Sequence, residues 1–129
     1  MNRFIKLFII FLLFISLLGC NNKKEEKKVI IHKLNEKDNN TTIKELMANN
    51  DYIILDVRTK EEYNESHIKN AINIEYDKID EKVDLDITKL ILVYCKSGKR
   101  SSIAYEKLKS LGYNVYNMGA FESINLDKE

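Results

Sequence analysis

One of the two cysteines in this 129-residue chain is placed where a reactive thiol would be expected. Cys95 directly follows an apolar run, residues 90–94, and opens the polar segment Cys-Lys-Ser-Gly-Lys-Arg-Ser, residues 95–101. Most free cysteines in folded domains are small buried hydrophobes. Here, however, the pattern predicts a strand that turns into a helix, where backbone N–H groups and the helix dipole stabilise an anion. We therefore predict that Cys95 is a reactive thiolate.

The rest of the predicted site is the loop that follows, Lys96, Ser97, Gly98, Lys99, Arg100 and Ser101. Gly98 is expected to let the backbone turn tightly where a Cβ would crowd the anion. Lys96, Lys99 and Arg100 add positive charge, so the pKa of the thiol should lie below its usual value. A thiolate held in this way can attack an electrophilic sulfur atom and keep the resulting persulfide. Arg100 is the candidate for ordering the loop or binding an anionic substrate.

Segments with strand and helix patterns alternate on both sides of this loop. Strands are predicted at residues 29–31, 52–57, 71–74, 90–94 and 114–118. Helices are predicted around Ile43, from the capping-box pattern that begins at Thr59, weakly over residues 76–83, and from Ser101 to a left-handed Gly112. This alternation predicts an α/β domain with a largely parallel central sheet.

Several short motifs then resemble the successive signatures of single-domain rhodanese-like proteins of the thiosulfate sulfurtransferase type. They occur in the family's order between residues 43 and 121: Asp56-Val57-Arg58, Glu62-Tyr63, Ser66-His67-Ile68, residues 70–74, residues 94–101 and Gly112-Tyr113. The resemblance implies a rhodanese-like three-layer domain, with a mostly parallel central sheet flanked by helices on both faces. We expect no cofactor and no metal, since the acidic residues of the chain are not spaced like a metal-binding loop.

The resemblance also implies an activity and roles for residues. Cys95 would accept sulfane sulfur from thiosulfate or a persulfide donor and pass it to a thiophilic acceptor such as a thiol, cyanide or a protein. The loop would wrap the sulfur with backbone amides. Asp56, Arg58 and Glu62 would support the site, with Arg58 pairing with Glu62.

The sequence departs from the family pattern at the expected rim of the pocket. Ser66 stands where the family often has Gly before the His, and Lys69-Asn70 stands where it often has Pro-Gly. Gly119-Ala120-Phe121 replaces a Gly-Gly pair with a nearby Trp, and the chain contains no Trp. We expect these differences to affect substrate preference and to leave the central loop intact.

Two other functions are compatible with the pattern. A cysteine-dependent phosphatase or arsenate reductase would need an anion-binding Arg six positions after the cysteine, where this chain has Ser101 and places Arg100 one position earlier. A rhodanese-like domain can also act as a non-enzymatic binding module at a membrane surface, although this chain keeps its cysteine. A net charge of +1 gives no indication of a nucleic-acid partner.

The N-terminal residues predict export and attachment to a membrane. A basic start and an apolar core, residues 7–18, lead to Leu17-Leu18-Gly19-Cys20, which resembles the bacterial lipoprotein box. We predict a signal peptide at residues 1–19, a lipidated flexible tether at residues 20–28 and the rhodanese-like domain at residues 29–129. Lipidation of Cys20 would consume its thiol and leave Cys95 without an intrachain partner. The protein would then be extracytoplasmic and lipid-anchored to a bacterial cell membrane.

Overall fold

A parallel sheet forms the middle of this computed structural model, which describes residues 39–129. Its strands are β1 (Tyr52–Asp56), β2 (Ile72–Asn73), β3 (Leu90–Cys95) and β4 (Asn114–Ala120), in the spatial order β2-β1-β3-β4. Every neighbouring pair is parallel. The predicted strand at residues 29–31, the signal peptide and the tether lie outside the described residues.

The central strand β3 places the cysteine. All six of its residues are buried, which explains why its sequence is continuously apolar rather than alternating. Its register sets Tyr94 beside Asp56 of β1 and Cys95 beside Ala120 of β4. The carboxyl ends of three strands therefore bring Asp56, Cys95 and Ala120 to the same edge of the sheet.

Helices cover both faces of the sheet, as expected for a three-layer domain. Helix α1 (Asn39–Asn49) and helix α2 (Lys60–Glu65) lie on one face, where Ile43 and Tyr63 pack with Leu92 and Tyr94. Helix α3 (Lys99–Ser110) covers the other face. There the core consists of Leu55, Val57, Ile79, Ile91, Val93, Cys95, Ala104 and Leu108. The predicted α/β fold with a parallel sheet between two helical layers is confirmed.

The elements differ from the predictions mainly at their ends. Helix α3 begins at Lys99, two residues before the predicted start, because the left-handed Gly98 (φ 92°) already turns the chain into the helix. Gly112 has the predicted positive φ, 92°. The helix predicted weakly over residues 76–83 is only a short 3₁₀ helix, Tyr76–Lys78, and none of its residues is buried. No helix within residues 39–129 has the length and apolar character needed to cross a membrane.

Helix α3 offers a test of this packing. Leu108 is fully buried (0% exposed) against β3, whereas Ile103 on the same helix is 45% exposed. Leu108→Ala should lower the free energy of unfolding by about 2–5 kcal/mol, because it removes buried methyl groups and leaves a cavity. Ile103→Ala, the control, should change it by less than about 0.5 kcal/mol. Urea unfolding of both variants would measure this, and equal losses would contradict the assigned orientation of α3.

Candidate active site

The sulfur of Cys95 lies at the carboxyl end of β3 and is surrounded by hydrogen-bond donors. Cys95 is fully buried, and the N–H of Gly98 donates to its Sγ over 3.0 Å. The amides of Ser97 and Ser101 also act on this sulfur, and both lower the pKa of the thiol. The structure therefore places the predicted loop around Cys95, with the Gly98 N–H directed at the sulfur.

These donors determine the ionisation of the thiol. Burial raises the pKa of Cys95, but hydrogen bonds from the Ser101 hydroxyl and from the amides of Ser101, Gly98 and Ser97 outweigh it, and the pKa lies below the usual value. The predicted lowering is thus confirmed, but its main physical cause is different. Hydrogen bonds lower the pKa most, whereas Lys96 and Lys99 are exposed.

Gly98 is required for its backbone conformation. Its φ of 92° lies in the left-handed region, which residues other than glycine rarely adopt. A Cβ at this position would meet the Gly119 Cα at 3.8 Å, an ordinary van der Waals distance. The predicted reason, steric crowding of the anion by a Cβ, is therefore wrong, and the turn itself requires the glycine.

The carbonyl of Gly98 joins the loop to helix α3. It accepts hydrogen bonds from the Ser102 N–H at 3.1 Å, the Ser102 hydroxyl at 2.8 Å and the Ser101 hydroxyl at 3.0 Å. The Ser101 hydroxyl has one proton and two acceptors within reach, this carbonyl and the Cys95 sulfur. An anionic sulfur is the stronger acceptor, so ionisation of Cys95 should turn this proton toward the sulfur.

A bidentate ion pair connects the loop to helix α2. Arg100 donates from Nη1 to Glu62 Oε2 at 2.7 Å and from Nη2 to Glu62 Oε1 at 3.0 Å. Glu62 also accepts from the Thr59 N–H at 3.0 Å, and the Thr59 hydroxyl accepts from the Glu62 N–H, which completes the predicted capping box. The hydrogen bond from Arg100 is the main reason that the pKa of Glu62 falls to about 2. Arg100 therefore orders the loop, one of its two predicted roles.

Arg58 pairs with Asp56, and the predicted pairing of Arg58 with Glu62 is wrong. The Nη2 of Arg58 lies 2.6 Å from Asp56 Oδ2, and its Nε lies 3.0 Å from both carboxylate oxygens. The same Nη2 donates to the Ser66 carbonyl at 2.7 Å, and the guanidinium lies 4.3 Å from the centre of the Phe121 ring. Both members of the pair are buried, so they support the end of β1 as expected.

A small cleft of about 250 Å³ lies beside the loop. It is lined by Arg58, Glu62, Glu65, Ser66, Lys96, Phe121 and Glu122. Ser66 and Phe121 are two of the positions at which the sequence departs from the family pattern, and both are at this rim as expected. Glu65 and Glu122 were not predicted, because neither belongs to a motif. A larger apolar groove beside the start of β1 includes no residue of the loop.

Comparisons with known proteins agree with this geometry. The model of the family described as "Rhodanese-like domain" matches residues 39–126. The thiosulfate sulfurtransferase PspE of Escherichia coli is 35% identical over 78 residues, which are 57% of this chain and 75% of that protein. The solved structure described as "rhodanese with anions from E. coli" is 31% identical with a TM-score of 0.56, covering 60% of this chain and 96% of that one.

A longer relative shares only part of its length with this chain. The adenylyltransferase and sulfurtransferase uba4 of Ogataea parapolymorpha is 36% identical over 80 residues, 60% of this chain. The match spans about a fifth of that protein, 21% of its length. The similarity therefore concerns only a part of that protein.

Two adjacent serines test how the thiolate is stabilised. Ser101→Ala removes a hydrogen bond that lowers the pKa of Cys95, so the midpoint of the pH dependence of Cys95 alkylation should shift to higher pH. Ser102→Ala is the control, since the Ser102 hydroxyl binds the Gly98 carbonyl and is not among the groups that stabilise the sulfur. Iodoacetamide labelling rates across pH would measure both midpoints. An unchanged midpoint in Ser101→Ala would rule out this role of the hydroxyl.

Proposed function

Because this chain belongs to the rhodanese-like domain family, we propose that it is a sulfurtransferase in which Cys95 carries the sulfur as a persulfide. The observation that carries the proposal is the buried Cys95 sulfur at the end of β3, which accepts a hydrogen bond from the Gly98 N–H at 3.0 Å. The other loop donors, from Ser97 and Ser101, further lower the pKa of this thiol. Curated relatives named thiosulfate sulfurtransferase support the same activity.

The first half of the proposed reaction loads the cysteine. The Cys95 thiolate attacks the outer sulfur of thiosulfate, a bond forms between Sγ and that sulfur, and the bond to the sulfonyl sulfur breaks. The electron pair of the broken bond leaves with sulfite, so thiolate and thiosulfate become a persulfide anion and a sulfite dianion. The chain supplies a nucleophile that ionises more readily than an ordinary thiol, because its pKa is lowered.

The second half returns the cysteine to its starting state. A thiophilic acceptor such as cyanide attacks the outer sulfur of the persulfide, the sulfur–sulfur bond breaks, and its electron pair remains on Sγ. Thiocyanate leaves and the thiolate is restored. The leaving group in this step is the same low-pKa sulfur that acts as nucleophile in the first step, so the same hydrogen bonds favour both.

The phosphatase alternative is not favoured by the arrangement of the loop. The position six residues after Cys95 is Ser101, and the neighbouring Arg100 directs both of its terminal nitrogens at Glu62. Because both terminal nitrogens of Arg100 already bind a carboxylate, they are poorly placed to bind a phosphoryl group bidentately.

We also propose that the domain is extracytoplasmic and lipid-anchored to a bacterial cell membrane. The support comes from the order of the N-terminal residues, in which a basic start, an apolar core and the Leu17-Leu18-Gly19-Cys20 segment succeed one another. Acyl chains on Cys20 would hold the domain at the membrane.

Mass spectrometry of the mature protein tests the sulfurtransferase proposal. After exposure to thiosulfate, Cys95 should gain the mass of one sulfur atom, and cyanide should remove it and release thiocyanate. Cys95→Ser should lose both reactions, because the replacement hydroxyl is not ionised at neutral pH. If no sulfane donor loads Cys95 while the variant keeps its function in cells, the binding-module alternative replaces this proposal.

Metabolic labelling tests the membrane anchor. In bacteria supplied with labelled palmitate, the full-length chain should incorporate label and sediment with membranes. Cys20→Ala should lose the label, because the acylated thiol is gone, whereas Cys95→Ala as a control should keep it. Label that persists in Cys20→Ala would contradict lipidation at this residue.

A further inference from the structure

The two arginines around the Cys95 loop are paired with carboxylates, whereas the loop lysines Lys96 and Lys99 are exposed. Arg100 is bound to Glu62 at 2.7 and 3.0 Å, and Arg58 is bound to Asp56 at 2.6 Å. At the rim of the cleft, the Lys128 ammonium lies 3.8 Å from Glu122. Carboxylates therefore compensate the arginine charges, while solvent and salt screen the charges of the exposed Lys96 and Lys99.

Of the paired cations, Arg100 lies in the Cys95 loop itself and interacts electrostatically with its sulfur. It lies five positions after Cys95, in the same loop, and the charge of the Cys95 thiolate is one of the causes that raise the pKa of Arg100, after its hydrogen bond with Glu62. Without a carboxylate partner, its full positive charge would act on any anion that approaches the sulfur.

Glu62 cannot easily leave Arg100. Its Oε2 also accepts from the Thr59 N–H in the capping box, so moving away would cost the N-cap of helix α2 as well as the ion pair. Its pKa of about 2 keeps it ionised throughout the physiological range. The compensation of Arg100 is therefore permanent.

We propose that Glu62 is a specificity-determining residue that neutralises Arg100 and thereby favours sulfur donors of low negative charge over the thiosulfate dianion. This inference rests on the proposed sulfurtransferase function. The class of donor that fits is an organic sulfane compound with at most one negative charge, such as an alkyl persulfide.

Two donors that differ mainly in charge make the test selective. Thiosulfate is a dianion, and methanethiosulfonate is a monoanion in which a methyl group replaces one oxygen of the sulfonate. With either donor, the Cys95 thiolate takes the terminal sulfur, and the electron pair of the broken bond leaves with sulfite or with methanesulfinate. The ratio of kcat/KM for thiosulfate to that for methanethiosulfonate, with cyanide as acceptor, cancels any general loss of activity.

The variants should move this ratio in opposite directions. Glu62→Gln frees the charge of Arg100 but keeps an oxygen for the Thr59 N–H, so the ratio should rise about threefold to tenfold, as expected for one more unit charge several ångströms from the donor. Arg100→Gln leaves Glu62 uncompensated, so the ratio should fall. In the double variant the ratio should return to that of the parent protein. Raising the ionic strength should reduce all these differences.

Glu61→Gln is the matched control. Glu61 is one residue away on helix α2 and exposed, and its charge acts on Lys78 rather than on the loop, so the ratio should not change. A Glu62→Gln ratio equal to that of the parent, or an equal rise in Glu61→Gln, would overturn the inference while loading of Cys95 with sulfur persisted. Failure of the sulfurtransferase function itself is distinct, because Cys95 would then gain sulfur from neither donor.

Discussion

The site depends on the hydrogen bonds that a short loop donates to a buried sulfur. Cys95 is enclosed at the end of the central strand, and burial alone would keep its thiol neutral. Donors from Ser97, Gly98 and Ser101 reverse this effect. Because most of them are backbone amides, the reactive state of the cysteine is determined by the path of the chain more than by its side chains.

That path is fixed from both faces of the sheet. The side chain of Cys95 lies in the core beneath helix α3, whereas the neighbouring Tyr94 lies in the opposite core with Phe121. The Tyr94 hydroxyl accepts from the Ile68 N–H at 3.0 Å, which ties the strand to the segment after helix α2. The buried pair of Asp56 and Arg58 closes the same end of the sheet. Removing one partner of such a pair would leave an uncompensated buried charge, so the pair enforces the local geometry.

The sequence was sufficient to predict the elements whose signals are local. The apolar run of β3, the capping box at Thr59 and the left-handed Gly112 follow from residue type and spacing, and the structure has all three. The loop around Cys95 was predicted for the same reason. The ion-pair partners of the two arginines were not predicted, because they depend on the directions of the side chains. Arg100 binds Glu62, which lies 38 positions earlier in the chain, and Arg58 binds Asp56, two positions before it. The weak helix predicted over residues 76–83 is reduced to one 3₁₀ turn, and of its apolar residues only Ile79 is buried.

Chemistry and selectivity are carried by different parts of this domain. The thiolate is stabilised by the turn between β3 and α3, whereas the cleft is walled mainly by helix α2 and the segment after β4. Substitutions at the rim, such as Ser66 and Phe121 in place of the family's more common residues, can therefore change what approaches the sulfur without altering its hydrogen bonds. The contact between Glu62 and Arg100 joins these two parts directly, because one residue belongs to the wall and the other to the loop. A change of charge at that contact is thus the most direct way in which the wall of the cleft can influence the reactivity of Cys95.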